Sequence, residues 1–305
     1  MKAISQELEL IDAPTPEPGE GEKLMRVAAA GVNRGDILQN QGHYPPPQGV
    51  TSILGLEASG YVDGKPAIAL LSGGGYAECV AVPEGQLMPV PKGLTMPEAA
   101  TIAEVTCTVW SNVFMLAGLH KGQRVLIHGG AGGIGTCAIQ LAKHFGAEVA
   151  VTAGSAEKLA TCKELGADIL INYKEQDFAQ ELKNSCDVIL DIIGAKYLDQ
   201  NVRALAMDGH QVTIGMQGGV KGELNIGRLL SKRGSISATA LRARDREDKA
   251  RIVKSTVENV WPIIESGEFK PQLSTTLPLE QAAEAHRLIK EGEVTGKIAL
   301  TVAED

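Results

Sequence analysis

Aromatic residues are scarce in this chain, at 4%, and positive charge is in deficit, with 29 Lys and Arg against 37 Asp and Glu. A formal net charge of −8 argues against binding along a phosphate backbone or on an anionic membrane. So few rings also leave little on which single-stranded bases could stack. Cysteine is sparse too: Cys79, Cys107, Cys137, Cys162 and Cys186 stand singly, with no C-x-x-C pair. Such a set reads as reduced structural thiols, not as a disulfide framework or a zinc cluster. Apolar stretches such as Val149–Ala153 are too short to span a bilayer, and the N-terminus MKAISQELELIDAP carries acids where a signal peptide needs an apolar core. The expectation is a soluble, cytoplasmic protein. There is no G-x-S-x-G elbow, and the six histidines show no ligand-like spacing, which disfavours hydrolase chemistry.

Glycine is what the chain has in plenty, 35 residues of 305, without a period. Up to about Pro97, short β-runs (KLMRVAAAGV, ILGLEASGYV, AIALL, YAECVAVP) alternate with turns at 14–21, 43–47 and 73–75, the pattern of a barrel-like domain. A helix is expected from near Met96 through VWSNVFML. From about Lys121 strands and helices alternate: RVLIH, GIGTCAIQLAKHFG, EVAVTA, SAEKLATCKELG, DILIN, then DVILDIIG, YLDQNVRALAM, HQVTIGMQGG and ISATAL. That rhythm builds a doubly wound parallel sheet. A helical stretch at 246–266 follows, and the tail (PQLSTTLPL, EQAAEAHRLIKEG, KIALTV) reads as returning to the first domain. The division expected is 1–112, completed by 271–305, around a second domain at 113–270.

The strongest signal is His128-Gly129-Gly130-Ala131-Gly132-Gly133-Ile134-Gly135, placed between strand RVLIH and a helix. As G-x-G-x-x-G its glycines are Gly130, Gly132 and Gly135, and Gly129 opens an overlapping register. One glycine makes the tight turn, one lets backbone approach a pyrophosphate, and one lets helix pack on strand, with the helix N-terminus facing the negative charge. A Gly-rich packing turn is the plainer alternative. An NAD site places an acid at the end of the second strand. Here that end reads Ala153-Gly154-Ser155, while Glu148 lies at the other end. Ser155, Lys158 and Tyr173 instead offer a hydroxyl, an ammonium and a phenol suited to a 2′-phosphate, so NADPH is the expected cofactor. Ser155 also reads as a plain N-cap, and Lys158 as a solvated helix lysine.

Together GVNRGDILQNQGHYPPP, ILGLEASG, GGGYAECVAVP, IHGGAGGIG, TAGSAEKL and INYKEQDF resemble the medium-chain dehydrogenase/reductase superfamily over nearly the whole chain. The likeness is to its zinc-free, zeta-crystallin-like NADPH:quinone oxidoreductases, most of all the tumour-suppressor-inducible quinone oxidoreductases of animals and their bacterial relatives. It implies an α/β fold: a Rossmann doubly wound parallel sheet plus a GroES-like β-barrel-type domain. Zinc enzymes of the superfamily have Cys where Asn33 stands and His-Glu where Leu56-Glu57 stands, so tetrahedral N/S coordination is not expected here. A quinone is already a strong electrophile, and hydride delivery to it needs positioning more than a Lewis acid. By resemblance Asn33 and Tyr44 line the active cleft, the amide bonding a carbonyl or carboxamide and the phenol orienting or protonating the substrate. Thr108, Leu241 and Lys297 carry over as further cofactor contacts. A helix cap for Asn33, loop packing for Tyr44, and core or surface roles for the other three are the structural alternatives.

Two stretches depart from the family pattern. Gly60–Pro66 is about a dozen residues shorter than the usual connection, which would truncate a barrel strand, and 182–187 looks abbreviated. The apolar RGSISATAL segment suggests an edge strand pairing two subunits. The leading expectation is an NADPH-dependent reductase of quinones or similar small electrophiles. A zinc-free enoyl or alkenal reductase, and a non-catalytic NADPH-binding redox sensor, are the competing ones.

Overall fold

A computed structural model describes residues 1–302 of the chain. By contact the chain divides into one unit of residues 1–107 with 241 onward, and a second of Thr108–Ala240.

The second unit is built on six parallel strands: Arg124–His128, Glu148–Ala153, Ile169–Asn172, Cys186–Asp191, Leu205–Thr213 and Ser235–Ala238. Numbered along the chain, they lie in the order 3-2-1-4-5-6. The order reverses between the first and fourth strands, where ligands of such sheets bind at the carboxyl ends. Val149 to Ala153 are all buried, as expected where helices cover both faces of a parallel sheet. Ser155 caps the helix Ala156–Glu164 by accepting a bond from Lys158 N at 3.3 Å. The abbreviated 182–187 stretch closes as a tight turn, with Asn184 left-handed at φ 57° and Ser185 N bonded to Leu182 O.

The first unit holds a seven-stranded, mostly antiparallel sheet. Its order is Leu273–Pro278, Lys297–Thr301, Glu22–Gly31, Glu57–Val62, Lys65–Leu70 and Leu87–Pro89, with Cys79–Pro83 also paired on Glu22–Gly31. The tail does return: Ala299, Leu300 and Thr301 pair with Gly31, Ala30 and Ala29. The short 60–66 connection is closed as a hairpin. Asp63 and Gly64, at φ 50° and 75°, make a two-residue turn, and pairing runs unbroken from Val62↔Lys65 to Glu57↔Leu70.

The helix Arg246–Glu265, grouped with the second domain on sequence, packs within the first unit. Gly85 lets it approach, since a Cβ there would lie 2.6 Å from Ala250 Cβ. Trp261 Nε1 then donates to Pro89 O at 2.7 Å. One helical run, Met96–Leu116, is long and apolar enough by composition to cross a membrane, and 78% of its apolar window is buried inside the protein. It exceeds the apolar stretches noted in the sequence because three pieces, Met96–Ala99, Ala103–Val109 and Trp110–Leu116, follow one another closely along the chain.

Candidate active site

The glycine loop does three separate jobs. Gly129 leaves the first strand at φ 72°, a left-handed turn that Gly makes without strain. Gly130 N bonds Thr152 O at 3.0 Å, and a Cβ on Gly130 would lie 2.9 Å from Val151 Cβ and from Cys162 Sγ. At Gly135 a Cβ would meet Gly129 O at 2.4 Å and Gly130 O at 2.5 Å, so only glycine lets the helix Gly133–His144 begin beneath the loop. Gly132, its N-cap, has nothing closer than 3.5 Å to such a Cβ, and no side chain caps the helix. The backbone N–H groups of Gly133, Ile134 and Gly135 belong to the first turn, which has no intrahelical acceptors. The result is a bare, positively polarised cradle. His128 supports it from inside: Thr152 Oγ1 lies 3.0 Å from its Nδ1 and Asn201 Oδ1 2.8 Å from its Nε2, and burial pushes its pKa down.

At the carboxyl ends of the second and third strands the structure gathers Ser155, Lys158 and Tyr173. Tyr173 N bonds Ala153 O at 3.2 Å, and its ring lies over Gly154, where a Cβ would come within 2.5 Å of the phenol oxygen. Tyr173 is 47% exposed and Lys158 half-buried. Glu148, at the far end, is paired with Arg124 at 2.7 Å. Thr108 is buried in the same unit, and its carbonyl accepts from Asn112 Nδ2 at 2.8 Å. There the helix widens, with Ala117 N reaching back five residues to Asn112 O.

A second centre lies in the first unit. Asn33 precedes the helix Arg34–Asn40 and is its N-cap, its N–H donating to Asp36 Oδ2 at 2.8 Å. The cap is made through the backbone of Asn33, and its side chain turns to other partners. Asn33 Nδ2 donates to Glu57 Oε1 at 2.9 Å, and Lys297 Nζ donates to Asn33 Oδ1 at 2.5 Å and to Glu57 Oε1 at 2.7 Å. Glu57 Oε2 takes the N–H of Glu104 at 2.9 Å. Glu57 is fully buried and Lys297 5% exposed, and Gly31 makes their room, since a Cβ there would lie 2.4 Å from Glu57 Oε1. Zinc does not fit this donor set. An amide and a leucine flank a carboxylate whose cation is already an ammonium, and zinc takes thiolate, imidazole and carboxylate. Among the described residues no group of three His, Cys, Asp or Glu is placed to hold a metal.

Asp36 extends the network. It is fully buried and accepts from Gly55 N at 2.9 Å and Tyr76 Oη at 3.2 Å; Tyr76 Oη in turn lies 3.3 Å from His286 Nε2. Burial pushes the Asp36 carboxyl up to about 6, against the pull of the Asn33 and Gly55 N–H groups and the Lys297 charge. Burial likewise pushes His286 down to about 4. Tyr44 packs against Gly35, 3.4 Å from where a Cβ would stand, and the Arg242 guanidinium carbon lies 5.0 Å from its ring centroid. Burial raises the Tyr44 phenol pKa, and Arg242 opposes that rise. Leu241 is buried, 8% exposed, beside Arg242.

Sequence reasoning singles out Asn33 and Lys297 but not Glu57, Asp36, Tyr76 or His286 as members of one network. The N-x-x-D spacing of Asn33 and Asp36 is the available signal. Nothing in the spacing joins positions 33, 57 and 297.

A separate concavity of about 760 Å³ is lined by Lys183, Arg203, Arg228 and Lys232 among others. It sits beside residues that precede strands, at their amino ends, opposite the ends where this sheet type binds dinucleotides.

A family model described as zinc-binding dehydrogenase matches residues 133–256. The chain is 32% identical over 294 residues to a highly reducing polyketide synthase of Emericella nidulans, which takes in 91% of this chain and 11% of that protein. It spans only 5–14% of the length of the polyketide synthases it matches. The quinone oxidoreductase of Thermus thermophilus, solved also with NADPH, is 31% identical with a TM-score of 0.87 over 99% of this chain and 100% of that one. An NAD-dependent alcohol dehydrogenase matches with the same identity, coverage and TM-score.

Proposed function

This chain belongs to the zinc-binding dehydrogenase family, within the medium-chain dehydrogenases and reductases, and from that premise we propose that it reduces quinones or similar small electrophiles with NADPH and without a metal ion. The observation that carries the reading is the cradle at 129–135, in which a Cβ at Gly135 would lie 2.4 Å from Gly129 O while no side chain caps the helix that begins at Gly133. A diphosphate fits such a bare-backbone anion site. The two solved relatives carry different dinucleotides in their names. What favours the phosphorylated one here is this chain's own strand end, where a hydroxyl, an ammonium and a phenol stand in place of a carboxylate.

When bound, NADPH supplies the hydride. The chain's residues bind, orient and protonate. The N–H groups of Gly133, Ile134 and Gly135 would hold the pyrophosphate, and Ser155, Lys158 and Tyr173 would hold the 2′-phosphate. Thr108, buried in the unit that carries the glycine loop, would add packing against the cofactor. Asn33 is held at both ends of its amide by Lys297 and Glu57, so the group is fixed in one orientation rather than free to rotate. Removing either charge of that buried pair alone would strand the other, at about 3–5 kcal/mol. Tyr44 offers its phenol proton to the reduced oxygen; a phenol carries its proton at neutral pH, and burial holds that proton more tightly until a stronger base forms beside it. Electrophile activation then rests on hydrogen bonds and on the quinone's own reactivity.

Stopped-flow oxidation of NADPH by a panel of quinones beside a panel of enals tests this. Quinones are expected to oxidise it faster, at a rate that a chelator leaves unchanged. Preference for crotonyl-type substrates would reassign the chain as a double-bond reductase, and binding without turnover as a redox sensor.

A further inference from the structure

Two buried cations of the first unit have no carboxylate to answer them. Arg242 is 5% exposed and Lys249 4% exposed, yet neither forms an ion pair with any described residue. Their partners are all neutral. Arg242 donates from Nε to Ser72 O at 2.7 Å, from Nη1 to Tyr44 O at 2.9 Å and from Nη2 to Gln39 Oε1 at 2.6 Å. Lys249 Nζ donates to Ser72 Oγ at 2.5 Å. Lysine and arginine are almost never this buried unless paired, and Lys297 in the same unit obeys the rule through Glu57.

The donor count sharpens the point. A guanidinium carries five N–H groups and an ammonium three. The bonds above commit three of the first and one of the second. Both cations converge on Ser72, one at its carbonyl and one at its hydroxyl, and so stand in one corner of the unit. The guanidinium that forms it also lies 5.0 Å from the centroid of the Tyr44 ring. Neutral side chains could pin Gln39, Tyr44 and Ser72 without the desolvation that two charges incur.

We propose that Arg242 and Lys249, gathered on Ser72 beside Tyr44, accept an oxyanion carried by the substrate, so that the preferred electrophile bears a carboxylate, sulfonate or phosphate group. The assignment rests on the reading that Tyr44 serves the electrophile. Its thermodynamic mark is proton linkage. Burial first, and then the charges of Arg242 and Arg246, push Lys249 down to about 8, with Asp245 opposing them. An anion placed against Lys249 reverses that depression, so the ligand should bring a proton with it.

Two measurements on the full chain separate this proposal from the quinone reading. In the first, naphthalene-2-sulfonate, which cannot be reduced, is titrated calorimetrically at pH 8 in two buffers of different ionisation enthalpy. The wild type is expected to bind it with uptake of about half a proton. Lys249→Met, and as a second variant Lys249→Gln, should bind about tenfold more weakly, with no proton taken up. In the second, sulfonated 1,4-naphthoquinone should show a KM about tenfold below its unsubstituted parent, and the two values should converge in Lys249→Met. Equal sulfonate affinity in wild type and both variants, or binding without proton uptake, overturns the anion corner. Proton-linked binding with neither quinone reduced upholds the corner and removes the quinone assignment instead.

Discussion

Asp36 and His286 share the Tyr76 hydroxyl, and burial drives their pKa values in opposite senses, to about 6 and about 4. Asp36 therefore favours the fold below about 4 and loses that contribution as pH rises through 6. His286 contributes above about 6.5 and loses it as pH falls through 4. The two slopes oppose each other over one window, each worth up to about 3 kcal/mol. Relative to wild type, the thermal midpoint of Asp36→Asn is expected to rise from pH 4 to pH 6.5, and that of His286→Phe to fall. Parallel profiles for all three proteins would count against the shared network. At the strand end, Lys158→Glu should weaken NADPH binding at least about tenfold while barely touching NADH. Equal losses in a fluorescence titration would take the 2′-phosphate away from Lys158.

Turns and loops show how far one element depends on its backbone. The hairpin of Glu57–Val62 and Lys65–Leu70 closes through Asp63 and Gly64, both at positive φ. D-G is a hairpin signal, which the reading of this stretch as a shortened connection passed over. Gly64→Ala is expected to lower stability by about 1 kcal/mol, seen as a shifted denaturant midpoint at constant slope. An unchanged midpoint would mean the turn relaxes to another type. The glycine loop was legible, since only glycine tolerates what its positions require. The helix Arg246–Glu265 is legible as a helix from its periodicity, but its docking on the Glu84–Gln86 turn depends on a small residue at Gly85, far away in sequence.

At the scale of the molecule, the six-stranded sheet ends in Ser235–Ala238, one edge of which has no strand partner among the described residues. Near it in the chain, Val220, Ile226 and Leu230 are 72%, 69% and 74% exposed. An open edge and exposed apolar side chains in one stretch of chain invite pairing, and a second copy of this chain offers the same edge by symmetry. Sedimentation is expected to give a dimer of the 32.1 kDa chain, reduced to monomer by Ile226→Lys with Leu230→Glu. A wild-type monomer would dismiss this interface.

Local rules settled the parallel sheet, the dinucleotide loop and the missing acid at the second strand's end. Each depends on residues that are neighbours along the chain, and glycine, caps and hydrophobic period act over a few positions. Proximity in space decided the rest. Lys297 meets Asn33 and Glu57 because the last strand pairs back on Glu22–Gly31, and Arg242 meets Tyr44 and Ser72 because the chain re-enters the first unit at 241. Charge pairing across such separations leaves no period or spacing to read, since burial alone makes a partner necessary and only the closed fold supplies it.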